Sequence, residues 1–121
     1  IEIKRMVPED FVMLSGDDLT LLPFLSVGGH GVISVTANII PSKVQKVIDL
    51  FNSKKLEKAR KLHNKLYKLH KSMFIKTNPI PIKTACYFKG MAENEFRLPL
   101  TPMDKKTMDE FRDLLINEDV L

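Results

Sequence analysis

The sequence predicts an α/β fold: two short parallel strands followed by a long helical tail. Three observations carry this. Phe11–Ser15 and Val32–Val35 are short apolar runs bounded by turn residues, as strands buried on both faces should be. Between them, Leu19–Val27 has helical apolar spacing and ends in Gly28-Gly29. Strand, helix and strand thus follow within about 25 residues, the size of a compact right-handed parallel crossover. Beyond Pro41 the apolar patterns are helical.

Taken in order, Ile1–Arg5 carries apolar residues among charges and reads as the tail of a helix that Pro8 ends. Ser15-Gly16-Asp17-Asp18 stops the first strand, and Asp17 or Asp18 is placed to cap the next helix by accepting a first-turn N–H. Pro23 is tolerable only near that helix's start. Gly28, Gly29 and Gly31 around His30 permit positive φ and close backbone approach before the second strand. Thr36-Ala37-Asn38 then puts small polar groups at the strand's C-terminal end, where parallel α/β folds bind ligands. Pro41-Ser42 opens a helix with Val44, Val47, Ile48 and Phe51 on one face, interrupted at Asn52-Ser53. A single long helix is expected from about Leu56 to Phe74, with Leu62, Leu66, Leu69 and Met73 as its core-facing stripe. Thr77–Pro81 reads as a stiff extended connector, Ile82–Phe88 as a helix, and Asp104 as the start of the last helix, with Met108, Phe111, Leu114 and Leu115 inward.

Bulk properties narrow the function classes. At 121 residues, 44% hydrophobic and 28% charged, the chain has the size and composition of one folded domain. A lone cysteine, Cys86, forms no internal disulfide, and a reducing cytoplasm is the simplest setting. No apolar run approaches the ~20 residues of a membrane span, and no signal peptide is expected. The net charge of +4 is modest. Nine of the basic residues lie between Lys54 and Lys76 against the single Glu57, but without interleaved aromatics or a base-reading motif. A solvated helix face explains them better than a nucleic-acid or membrane surface. Neither partner is expected.

Several residues invite a chemical role and are better explained without one. Asp17-Asp18 resembles an acid/base pair, yet capping accounts for it. His63 and His70 are seven apart rather than four, against a two-histidine metal pair, and no metal site is expected. His30 begins a strand, the face of a barrel that serves stability. Cys86 reads as a small buried hydrophobe. The six methionines are spread over core positions, and no cofactor is expected.

Two parallel strands cannot form a stable sheet alone, and the missing part falls on the N-terminal side. Ile1 in place of an initiator methionine suggests a fragment or a processed chain. Here Phe11–Asp18 (FVMLSGDD), Gly28–Asn38 (GGHGVISVTAN), Asn78–Lys83 (NPIPIK) and Arg97–Pro102 (RLPLTP) resemble, in order and spacing, the C-terminal half of the dihydrodipicolinate (4-hydroxy-tetrahydrodipicolinate) synthase family of pyruvate-dependent lyases. The resemblance covers essentially the whole chain. It implies the last part of a TIM (β/α)8 barrel, with residues 1–55 as its last two β/α units and residues 56–121 as a C-terminal helical extension. It implies condensation of pyruvate, held as a lysine Schiff base, with aspartate 4-semialdehyde, in lysine and diaminopimelate biosynthesis. The Schiff-base lysine and a proton-relaying tyrosine would both precede Ile1, so no catalytic residue is assigned here, Lys83 included. Ile33 would offer its main-chain carbonyl to pyruvate, and Gly16 would leave room beside the imine. The family also implies a homotetramer. The alternative is a non-catalytic helical interaction module or the remnant of a decayed gene.

Overall fold

The computed structural model describes residues 1–121. A short helix, α1 (Glu2–Met6), leads into β1 (Leu14–Ser15). A 3₁₀ turn at Asp18–Thr20 runs into α2 (Leu21–Ser26), and β2 (Gly31–Val32) returns beside β1. The two strands pair in parallel, Leu14 opposite Gly31 and Ser15 opposite Val32. A second 3₁₀ turn, Thr36–Asn38, precedes α3 (Pro41–Asn52), α4 (Leu56–Lys65), α5 (Tyr67–Ser72), α6 (Ile80–Phe88) and α7 (Lys105–Asn117). No helix is long and apolar enough to cross a membrane.

Each helix end has a local cause. Asp17 caps the first 3₁₀ turn by accepting the Leu19 N–H at 3.0 Å. Asp104 caps α7, accepting the Thr107 N–H at 2.9 Å and its hydroxyl at 2.7 Å. Those two hydrogen bonds hold its carboxyl below the usual carboxylate range. The cap therefore contributes its stability above that range and loses it as pH falls through the depressed value. Pro41 and Pro81 sit in first turns, where the missing N–H has no intrahelical partner to lose.

The end of α2 shows what the paired glycines do. Gly28 N–H bonds to the Leu25 carbonyl and Gly29 N–H to the Phe24 carbonyl, closing a Schellman motif. Gly28 holds φ +93°, the left-handed region. At Gly29 the reason is space, because a Cβ would lie 2.2 Å from the Phe24 ring and 2.8 Å from its carbonyl oxygen. Gly29→Ala is accordingly expected to cost about 1–3 kcal/mol in urea unfolding, as overpacking against backbone does. An unchanged midpoint would show that the turn relaxes freely.

The core is shared along the chain. Leu21 and Leu25 of α2, Val44 and Val47 of α3, Leu69 of α5, Ala85 of α6 and Phe111 and Leu115 of α7 belong to one buried cluster. Residues before and after position 55 thus pack into the same interior. α1 contributes nothing buried.

Four sequence expectations are corrected. Both strands are shorter than expected and are not buried on both faces: Phe11, Val12 and Ile33 are 50%, 63% and 68% exposed. Each strand has one neighbour where a parallel sheet's interior needs two. The segment after Asp17 begins as 3₁₀ and becomes α-helical only at Leu21. The expected helix from Leu56 to Phe74 is two helices ending at Ser72, because the chain tightens at Leu66 (φ −79°, ψ −6°), whose N–H is shared between the Leu62 and His63 carbonyls. Finally, α6 starts at Ile80 rather than Ile82, since Pro81 fits a first turn. α3 and the capped start of α7 fall where the pattern placed them.

Candidate functional site

The C-terminal ends of β1 and β2 bring Gly16 and Ile33 side by side. Beyond the paired strands, the Ile33 N–H donates to the Ser15 carbonyl at 2.8 Å. The Ile33 carbonyl accepts no hydrogen bond from any group of the chain. Gly16 is open: a Cβ built there meets nothing within 4 Å. An unclaimed carbonyl thus follows one strand and an open glycine the other.

Behind this pair lies a buried polar cluster. Asp18 is 1% exposed, and its carboxylate accepts the Val35 N–H at 3.0 Å, the Thr36 N–H at 3.1 Å and the Thr36 hydroxyl at 3.2 Å. The Ser34 hydroxyl also donates to it, and Ser34 Oγ in turn accepts the Ala37 N–H at 2.8 Å. One carboxylate therefore holds the whole turn that follows β2.

Two histidines approach from the helical half. His70 of α5 is 1% exposed, with Nδ1 2.9 Å from Thr36 Oγ1 and 4.0 Å from Asp18 Oδ1. Burial lowers its pKa most; Asp18 opposes this, His63 adds to the lowering, and Asp17 opposes it further. His63 of α4 donates Nε2–H to the Leu19 carbonyl at 3.1 Å, which leaves Nδ1 as a buried nitrogen without a partner. The two rings are 6.1 Å apart.

This cluster is what sequence reasoning missed. Capping was expected of Asp17 or Asp18, and the structure divides the pair: Asp17 caps, while Asp18 is a buried acceptor 16 to 18 residues from its donors. His70, set aside as an improbable metal ligand, is fully buried. A signal was present, since a histidine among Leu66, Leu69 and Met73 on the inward face must find a polar partner. No group of three or more His, Cys, Asp or Glu side chains is arranged to hold a metal.

The remaining candidates make contacts of other kinds. His30 accepts the Met13 N–H on Nδ1 at 3.0 Å and donates its own N–H to the Met13 carbonyl at 2.9 Å, tying the starts of the two strands. Lys83 donates to the Glu95 carbonyl and lies 5.1 Å over the Phe96 ring. Cys86 is half-buried rather than buried, and burial pushes its thiol pKa up despite nearby Lys89. All nine basic residues from Lys54 to Lys76 are exposed.

Against known proteins, residues 1–118 match the dihydrodipicolinate synthetase family. The chain is 45% identical over 120 residues to 4-hydroxy-tetrahydrodipicolinate synthase of Nitratidesulfovibrio vulgaris (strain DP4), covering 99% of this chain and 41% of that protein. It is 45% identical over 114 residues to the Aquifex aeolicus (strain VF5) protein of the same name, covering 94% and 39%. The crystal structure of dihydrodipicolinate synthase from Aquifex aeolicus superposes with TM-score 0.94 at 43% identity, covering 98% of this chain and 41% of that one. A structure described as the first monomeric dihydrodipicolinate synthase variant superposes with TM-score 0.93 at 39% identity, covering 100% and 40%. The chain spans about two-fifths of the length of the relatives it matches.

Proposed function

Because the chain belongs to the dihydrodipicolinate synthetase family, we propose that it forms the C-terminal part of a 4-hydroxy-tetrahydrodipicolinate synthase. Residues 1–55 would be the last two β/α units of a TIM barrel, and residues 56–121 the helical extension that packs on them. The complete protein would act in the cytoplasm, in lysine and diaminopimelate biosynthesis. It would condense pyruvate with aspartate 4-semialdehyde.

In this reaction a lysine amine adds to the pyruvate ketone and expels water, giving an imine. Loss of a methyl proton makes an enamine, whose carbon attacks the aldehyde. That lysine, and a tyrosine that relays protons, would lie outside residues 1–121. The chain's own contribution is the far wall of the site. The Ile33 carbonyl would face bound pyruvate, and Gly16 would leave space beside the imine.

The observation that carries this is the Ile33 carbonyl, unclaimed by any donor of the chain while its N–H is pinned to Ser15. A backbone acceptor held by the strand ends orients a ligand without spending a side chain. The open space at Gly16 supports the same reading.

The test is turnover of the complete protein with pyruvate and aspartate 4-semialdehyde. Gly16→Val should raise KM for pyruvate about tenfold, because its branches would occupy the space beside the imine. A wild-type KM in that variant would remove Gly16 from the site. No turnover by the wild-type protein would remove the synthase reading itself. Assembly as a homotetramer is part of the proposal and is read directly by sedimentation of the complete protein.

A further inference from the structure

We propose that His70, reaching through Thr36 to Asp18, is a positioning residue that sets the direction of the Ile33 carbonyl. The inference rests on the role just proposed for Ile33. It extends the site into the helical half of the chain.

Proton accounting defines the hydrogen bonds. A carboxylate can only accept, so the single Thr36 hydroxyl proton goes to Asp18. The Thr36 oxygen is then the acceptor for His70, and the 2.9 Å contact requires a proton on His70 Nδ1. The order is His70 to Thr36 to Asp18, with every donor and acceptor of the chain used in one direction.

The link is also singular. The turn at residues 34–38 makes its side-chain hydrogen bonds with Asp18, with its own residues and with His70. His70 is thus the one side chain of the helical half bonded to this turn, 34 residues away in sequence.

The consequence falls on one peptide plane. The Ile33 carbonyl belongs to the Ile33–Ser34 peptide. On one side Ile33 N–H is held by Ser15, and on the other Ser34 Oγ and Val35 N–H are held by Asp18. With both flanking peptides anchored, the plane is left only the concerted rotation about Ile33 ψ and Ser34 φ, and loosening either anchor widens its swing. When His70 no longer donates, the Thr36 hydroxyl is a buried group free to turn away from Asp18. The second anchor then loosens.

Two amide substitutions in the complete protein separate positioning from mere filling of space. Asparagine places an N–H where His70 Nδ1 sits, whereas glutamine carries it one bond too far. His70→Asn should keep kcat/KM for pyruvate within about twofold of wild type, and His70→Gln should lower it about tenfold, with KM for the aldehyde moving less than about twofold. Amide exchange at Val35 and Thr36 should run about tenfold faster in the glutamine variant than in the asparagine variant. Equal effects of the two amides, or an aldehyde KM that rises with that of pyruvate, would overturn the inference. If the wild-type protein shows no synthase turnover, the functional reading fails, and the exchange comparison alone decides whether His70 holds the turn.

Discussion

Asp18→Asn is expected to lower the unfolding free energy by about 3 kcal/mol, the loss typical of leaving buried donors unpaired. The carboxylate accepts from two backbone N–H groups and two hydroxyls inside a site that is 1% exposed. An asparagine keeps one acceptor oxygen and turns the other position into an NH₂ facing donors. The N–H and hydroxyl of Thr36, both buried, have no water to turn to. Asp17→Asn is the matched control, since asparagine caps a helix about as well as aspartate and should cost no more than about 0.5 kcal/mol. Urea midpoints of the two variants at neutral pH make the comparison. Equal losses would mean that Asp18 is as dispensable as its neighbour, contrary to the geometry.

A second large effect concerns the isolated segment. Produced alone, the 121-residue polypeptide should self-associate and trap no pyruvate on borohydride reduction. One edge of β1 has no partner strand, and Phe11, Val12 and Leu14 are 50%, 63% and 48% exposed. Together with Ile1, Ile3, Met13 and Phe24 they line an apolar cleft of about 360 Å³. An unpaired strand edge beside exposed apolar side chains is a surface that recruits another chain. Adding the preceding part of the complete protein should replace the association with a single defined species and produce a pyruvate adduct on a lysine outside residues 1–121. Sedimentation velocity and intact-mass measurement read both effects. A monodisperse, cooperatively melting monomer would contradict the exposed edge. An adduct on Lys83, or on any other lysine of this chain, would overturn the placement of the chemistry.

The glycine-rich stretch from Gly28 to Asn38 shows both the reach and the limit of reading a sequence. That glycine was needed there was legible, because only two local causes exist, a positive φ and a close approach. Which glycine answers which cause was not. Gly28 takes the first and Gly29 the second, and the second depends on where the Phe24 ring lies. Similarly, periodicity located α3 and α7, but it could not show that Leu66 breaks one apparent helix into two. The stripe Leu62, Leu66, Leu69 and Met73 is continuous on a wheel, and a wheel carries no information about a tightened turn.

By itself the sequence determined the family, the parallel strand–helix–strand unit and the start of the last helix at Asp104. All of these follow from residues within a few positions of one another, or from motifs in register. Tertiary structure alone decided how the adjacent carboxylates divide. Asp17 answers a local N–H two residues on, whereas Asp18 answers Ser34, Val35 and Thr36, with His70 behind Thr36. Local pattern treats the two aspartates alike. Burial separates them, because a carboxylate removed from water must be satisfied by whatever donors the fold brings to it, however distant in the chain.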